Sequence, residues 1–474
     1  MPPMYQKIIE PPQMPQTVFK GDSFVTDLGC HYVGNFSLGM KPCDAYTDAP
    51  VKLSIRFCET AREIDDDFSQ YKGNLCSSWL QEEIVYLHNP GKYTLPGRYA
   101  ARYIKIQVVD APVKIVLSDF CFTAVTSADE NALTCIDTDD QLLKKIDEIS
   151  ATTLKNCMHR VFEDGPKRDR RLWIGDLRLE ALTNYVTFNN TELVRRCIYL
   201  FAATHSEEKG MVAPHLYEYP DFVSSRGVLT DYALLYAATV CDYLEYTDDI
   251  STFAEVYPIV KKQILATRSL LSPEGILTAK EQPGRGTFID WCPVLCKTTS
   301  LHGVYMYVLD MLIKAADRLG SHDKELYLQW YEEAKKAALK HLYDSDKKSF
   351  VNKYDNYQNS VHSAVWMVLG GAVEGEEARE TIKNALSCND SIKPFTPYMH
   401  HYVVEAMIKT GMIQEAKDYI KSYWGAMAKE GADTFYEVFV PNDADFSPYG
   451  DRMINSMCHA WSCTPSYFIR KYFV

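Results

Sequence analysis

A carboxylate, a base and an aromatic ring close together can bind a sugar or move a proton on it, and this sequence offers that combination several times. Residues 162–176 read Phe-Glu-Asp-Gly-Pro-Lys-Arg-Asp-Arg-Arg-Leu-Trp-Ile-Gly-Asp, bringing Asp164, Arg168, Asp169, Arg170, Trp173 and Asp176 into one short run. Residues 288–291, Phe-Ile-Asp-Trp, carry Asp290 and Trp291, and residues 431–437, Gly-Ala-Asp-Thr-Phe-Tyr-Glu, carry Tyr436 and Glu437. Asp221 follows Tyr219, His400 and His401 follow Tyr398, and His459 stands near the end. Carboxylates bind hydroxyls and aromatic faces stack on sugar rings, and paired carboxylates supply acid and base. Each residue also has a plainer reading. An Asp ahead of a helix is usually a cap, which fits Asp176, Asp221 and Asp290 as well as function does. The charge run 168–171 fits a solvated surface, the aromatic residues a core, and the histidines packing. Glu437 is a poor cap type, which favours function there.

The elements that must position these residues change character near residue 130. Before it, Val51–Phe57, Tyr103–Val109 and Val113–Leu117 alternate apolar and polar, the period of half-buried antiparallel strands. Turns at Asn89-Pro90-Gly91 and Leu95-Pro96-Gly97 separate them. This predicts a β-sandwich accessory domain over 21–130, preceded by an N-terminal extension over 1–20. From about 138 the period is helical, with Asp137 to Asp140 suited to a cap. About twelve helices are expected, the last over 456–470 with His459 just inside it. Connections after odd-numbered helices are long and those after even-numbered ones short. Short connections make hairpins, so the fold class predicted for 131–474 is mainly α, an (α/α)6 barrel of six hairpins. All the long loops then fall on one rim, at the N-termini of the even-numbered helices, where dipoles favour negative charge.

Composition narrows the function. The 474 residues carry 50 Lys and Arg against 63 Asp and Glu, a net charge of -13, which argues against a nucleic-acid partner. No apolar run is long enough for a membrane span. The opening Met-Pro-Pro-Met-Tyr-Gln-Lys lacks the charged-then-apolar pattern of a secretory signal, so a cytoplasmic location is expected. The 14 cysteines are scattered without a zinc-binding frame and read as small buried apolar residues, so no metal is expected. The sequence does not decide between a monomer and a homo-oligomer.

These motifs resemble those of glycoside hydrolase family 78, the bacterial α-L-rhamnosidases. Asp164 to Asp176 is similar to the family's Asp-Cys-Pro-x-Arg-Asp-Glu-Arg-x-Gly-Trp-x-Gly-Asp, residues 288–291 to its Phe-Gly-Asp-Trp, and residues 431–437 to its Gly-Ala-Thr-Thr-x-x-Glu. Ser456 and His459 match a Ser-x-x-His before its last helix. Asp27-Leu28-Gly29, the run from Leu53 to Glu59 and that from Arg102 to Ile106 resemble its preceding β-sandwich. The resemblance implies an inverting glycosidase without an organic cofactor that releases a terminal rhamnose or related sugar from a small glycoside or oligosaccharide. It implies Glu437 as general base, with Asp164, Arg168 and Asp176 binding hydroxyls or shaping the pocket and Trp173 and Trp291 as its aromatic wall. The family's general acid position is Arg170 here, and an arginine is no proton donor at neutral pH. The motif is also one residue short before Trp173, and Gly165 replaces the Cys. The acid role is then expected of Asp169, Asp164 or Glu163. An inward Arg170 would stand near the scissile oxygen and favour an acidic substrate. Two alternatives stay open: a lyase on a rhamnose–uronate linkage, with Arg168 or Arg170 on the carboxylate and Tyr436, His400 or His459 as base, and a catalytically inactive sugar-binding protein.

Overall fold

The computed structural model describes residues 3–11, 15–43, 47–88, 90–280, 282–354 and 356–474. Of the expected turn at 89–91, Asn89 lies outside the described residues, as do 1–2 and 12–14 of the expected extension. The first strands are β1 (Tyr5–Ile9), β2 (Gln16–Val18), β3 (Ser23–Pro42) and β4 (Val51–Cys58). They are followed by β5 (Glu82–Leu87), β6 (Gly91–Thr94), β7 (Tyr99–Asp110) and β8 (Ile115–Thr126). All eight join one antiparallel sheet, in which β3 pairs with β7 along its first part and with β6 and β8 along its second. The alternating residues Leu53, Ile55 and Phe57 of β4, with Ile104, Ile106 and Val108 of β7, form its core. The register of β3 against β7 shifts between Asp27 and Tyr32. Gly29 takes a φ of 83° there while its N–H bonds Asp27 Oδ1 at 2.8 Å, a bend open to glycine and costly to other residues. Most of the expected extension is not separate: β1 and β2 both pair with β8, because their extended, β-prone residues complete its edge.

The helical half contains α1 (Gln141–Cys157), α2 (Ile174–Val186), α3 (Thr191–Ala203), α4 (Thr230–Thr247), α5 (Ile250–Arg268) and α6 (Thr298–Arg318). It continues with α7 (Asp323–His341), α8 (Val361–Leu369), α9 (Gly375–Ser387), α10 (Pro397–Lys409), α11 (Ile413–Lys429) and α12 (Pro465–Phe468). Side-chain caps start many of them: the Asp140 carboxylate accepts the Leu143 N–H, and Asn190, Asp249, Ser360 and Thr396 cap their helices likewise. Burial separates two kinds of helix. Every residue of α8 is buried, whereas α9 buries only Ala378, Thr381, Ile382 and Ala385, a single stripe at helical spacing. The inner helices contact one another in succession, α2 on α4, α4 on α6, α6 on α8 and α8 on α10. Both α10 and α2 then meet the 3-10 turn at Ala460–Ser462.

The last element departs from expectation. The helix predicted over 456–470 is broken into that 3-10 turn, the single turn α12 and a π turn at Ile469–Phe473. Pro465 has no N–H to give to a preceding carbonyl and its ring would clash there, so it can only begin a helix. His459 is therefore extended backbone before the turn, not a helical residue.

Candidate active site

Loop 158–171 is closed by Asp164. Its carboxylate accepts the N–H of Asp169 at 3.1 Å and of Arg171 at 3.0 Å, and its own N–H bonds the Arg171 carbonyl at 2.9 Å. The coil is tight enough that a Cβ on Gly165 would lie 2.5 Å from the Arg168 carbonyl and 2.9 Å from Ser456 Oγ. Such spacing excludes the family's Cys at this position. The Asp164 carboxyl is pushed well up, first by burial and then by the neighbouring charge of Asp169.

Arg168 stands at the centre, buried. Its Nε bonds the Ile454 carbonyl at 2.6 Å, Nη2 pairs with Glu437 Oε2, and Nη1 lies 3.9 Å from Asp169 Oδ1. The guanidinium also lies over the Tyr449 ring, 4.2 Å from its centroid. Glu437 has three donors: Arg168, the Tyr449 hydroxyl at 2.5 Å and the Ser456 N–H at 3.2 Å. Burial by itself would raise the Glu437 carboxyl, but these donors and the nearby charge of His459 outweigh it and hold it below the usual range. His459 Nε2 meets Asp176 Oδ1 at 3.1 Å. Burial opposes the imidazolium, yet Asp176, Glu437 and Asp164 together raise His459 above its ordinary value. Burial pushes the Asp176 carboxyl up, and the His459 contact opposes this.

Aromatic rings run from this cluster across three loops. Trp291 meets Tyr449 at 5.8 Å and Phe288 at 5.4 Å between centroids. Phe288 meets Tyr232 and Trp461, Trp461 lies against His459, and Trp173 packs on Tyr232 and, tilted, on His215. Trp291 is 37% exposed, so this edge of the wall faces solvent.

The fold thus brings together Asp164, Arg168, Asp169, Trp173, Asp176, Trp291, Glu437 and His459. Three expected site residues face elsewhere. Arg170 does not enter the cluster: its Nε bonds the Pro166 carbonyl and its Nη2 the Arg98 carbonyl, each at 2.8 Å. With φ at 62°, the backbone turns this side chain toward the sheet domain, where the two carbonyls hold it. The basis for an acidic substrate goes with it. Asp290 belongs to the frame. Its carboxylate takes five donors: His362 Nε2, Thr396 Oγ1 and the N–H groups of Trp291, Phe395 and Thr396. Burial opposes its charge, but those partners keep its carboxyl below the usual range and leave little capacity for a ligand. Tyr436 points away from its neighbour Glu437 and lines a cavity of about 360 Å³ with Arg102, Tyr103 and Glu59. Successive residues of an extended loop face opposite sides.

His400 and His401 are core residues, His400 stacked on Tyr423 at 3.6 Å and His401 packed on Phe468. Tyr449, Tyr232 and Trp461 were not legible as site residues. The available signal was that Tyr449 is the middle residue of a Pro448-Tyr449-Gly450 turn in the long loop before the last helix.

Residues 6–126 match the model of the glycosyl hydrolase family 78 alpha-rhamnosidase N-terminal domain. Residues 131–473 match that of the bacterial alpha-L-rhamnosidase six-hairpin glycosidase domain. A rhamnosidase from Klebsiella oxytoca, solved with rhamnose bound, is 37% identical with a TM-score of 0.94, over 100% of this chain and 97% of that one. A family 78 rhamnosidase of Bacillus sp. GL1 shares the fold at 22% identity and a TM-score of 0.82, over 98% of this chain and 48% of that one. An α-L-rhamnosidase from Streptomyces avermitilis, complexed with L-rhamnose, does so at 17% identity and 0.72, over 99% and 44%. No curated protein sequence matches the chain.

Proposed function

The chain belongs to glycoside hydrolase family 78, the bacterial α-L-rhamnosidases, and is a glycosidase; from that premise we propose that it releases a terminal rhamnose from a small glycoside by an inverting hydrolysis. The observation that carries this reading is the Arg168 guanidinium, with buried Glu437 at one end and half-buried Asp169 at the other. Two carboxylates at opposite ends of one guanidinium are held apart from each other, which supports their acting on opposite sides of one sugar ring. An inverting pair needs such a gap, roughly 6.5–9.5 Å, to admit a water.

Glu437, kept as a carboxylate by Arg168, Tyr449 and Ser456, takes the proton of the attacking water. Asp169 is the more exposed carboxyl and gives its proton to the leaving oxygen. Asp164 lies behind it, its carboxyl raised first by burial and then, once Asp169 has given up its proton, by the charge left on Asp169. His459 and Asp176 bind sugar hydroxyls, and Trp173 and Trp291 border the ring. On this reading the inner helices close as an (α/α)6 barrel around the site, with the catalytic domain over 131–474, and the sheet before it, β1 and β2 included, folds on its own apolar face as a sandwich. Of the groups the lyase reading calls on, Arg170, Tyr436 and His400 face away from the cluster, and the two that remain are already engaged, Arg168 by Glu437 and His459 by Asp176.

The test compares Glu437→Gln and Asp169→Asn on rhamnosides with good and poor leaving groups. Loss of a general base or acid is typically worth about 10² to 10⁴ in rate. Glu437→Gln should lose at least about a hundredfold on both substrates. Asp169→Asn should lose that much only on the poor leaving group, because a good one departs without a proton. Equal losses in Asp169→Asn would remove it as the acid. Proton NMR of the first-formed anomer should show β-rhamnose from an α-rhamnoside, and retention of configuration would overturn the inverting mechanism.

A further inference from the structure

The two halves of the chain meet directly behind the catalytic loops. Lys167 is buried, and its ammonium bonds Glu63 Oε1 at 2.6 Å and the carbonyls of Asn455 and Met453 at 3.0 and 3.2 Å, with Glu59 Oε2 at 3.9 Å. Arg168, the next residue, takes the carbonyl between those two, Ile454. Glu59 accepts the Met457 N–H at 2.7 Å and lies 3.3 Å from His31, whose other ring nitrogen meets Asn156 of α1 at 2.9 Å. The Met453, Ile454 and Asn455 carbonyls and the Met457 N–H are thus held by Lys167, Arg168 and Glu59. On its other side the segment presents the Ser456 N–H to Glu437 Oε2, and the Ser456 carbonyl accepts the Glu437 N–H at 3.0 Å.

The acidic residues of this array come from the sheet domain. Glu59 follows β4 and Glu63 ends the 3-10 turn Ala61–Glu63. The turn is rigid because the Glu63 carboxylate reaches back to accept the N–H groups of Thr60, at 3.0 Å, and Glu59, at 2.5 Å.

We infer that the N-terminal sheet domain positions the catalytic base: Glu59 and Glu63, acting with Lys167, set segment 453–457, which in turn orients the Glu437 carboxylate through Ser456 and Arg168. The three are positioning residues, since none is bonded to Glu437. Their buried charges are not needed for stability as such, because an apolar pair of similar volume commonly serves as well. What the charges supply is placement. A lysine with three donors holds a carboxylate and two carbonyls at once, which no apolar side chain can do. The inference rests on the reading of Glu437 as base.

The test uses the full chain with Lys167→Met and Glu63→Gln combined, which removes the Lys167–Glu63 pair as a whole and leaves Glu59 with His31 and the Met457 N–H. The groups facing Glu437 are Arg168, Tyr449 and His459, with Asp169 beyond Arg168 and Asp176 beyond His459. All remain in this variant, and only their placement changes. A catalytic group displaced by about 1 Å can lose up to a hundredfold in rate. The folded double variant should therefore show a roughly ten- to hundredfold lower kcat with KM little changed. The acidic limb of kcat/KM should move to higher pH as the donors slacken around Glu437. Glu59→Gln, which keeps an oxygen for Met457, should move the limb the same way by less, and it serves should the double variant fail to fold. Arg62→Ser breaks a different contact between the halves, to Asp445 and the Ala444 carbonyl, and should leave the limb in place. An unmoved limb in the folded variants, or an equal shift in Arg62→Ser, overturns the inference. Near-normal turnover in Glu437→Gln overturns instead the reading of the base, so the two failures are distinct.

Discussion

Replacing Asp290 with Asn should destabilise the protein without altering its recognition of the sugar. The Asp290 carboxylate accepts three donors on Oδ1, from Trp291, Thr396 N and Thr396 Oγ1, and two on Oδ2, from His362 and Phe395. The amide that best replaces it keeps its oxygen at the Oδ1 side and its NH₂ at the Oδ2 side. His362 can then change tautomer and accept, but the Phe395 N–H has no partner. A buried donor left unpaired costs about 1–3 kcal/mol. Removing one partner of a buried ion pair costs about 3–5 kcal/mol, which bounds the loss from above. With about 2–4 °C per kcal/mol in a sizeable domain, the midpoint of thermal unfolding should fall by roughly 5–15 °C. Calorimetry of the purified variant measures this, and kinetics well below the transition should show KM within about twofold of the parent, since uniform binding is untouched. The pH dependence follows from the depressed carboxyl. Its stabilisation is full above the unfolded value near 3.9 and is lost as pH falls through the folded value, so parent and variant should converge in acid. An unchanged melting point with a KM raised a hundredfold would refute the reasoning and return Asp290 to the substrate.

Two further outcomes are expected. Arg170→Glu should weaken the protein and lower activity on neutral and uronate-linked rhamnosides alike, because a carboxylate would face the Pro166 and Arg98 carbonyls; a gain on neutral rhamnosides alone would show that the arginine had occupied the acid's place. Tyr449→Phe removes one of the three donors to Glu437, so its carboxyl should rise and the acidic limb of kcat/KM move to higher pH, while an unmoved limb would mean that Tyr449 serves only as a ring surface.

How far these residues could be read without coordinates depends on the range of the interaction that places each one. Strand alternation and helical periodicity are local, so β4, β7 and eleven of the helices stood close to their expected places. Glu437 was legible because its sequence neighbourhood resembles a family motif, and because a glutamate there makes a poor cap. The break in the last helix is also local in origin, since Pro465 forbids a continuous helix over 456–470. The direction of each side chain was another matter. Arg170 and Arg168 are two residues apart in one charge run, and only the turn of the loop sends one to backbone carbonyls and the other to Glu437. Asp290 and Asp176 both read equally as caps or ligands. What separates them is whether His362 and Thr396, 72 and 106 positions further on, come to fill the carboxylate. Tyr436 and Glu437 are adjacent, yet the chain turns one to the sheet domain and the other to Arg168 and Tyr449. Local sequence determined which elements form and which residue types could do chemistry. Which of them share a site was decided by partners brought in from distant parts of the chain, because a side chain's orientation follows the hydrogen bonds and charges that surround it in three dimensions.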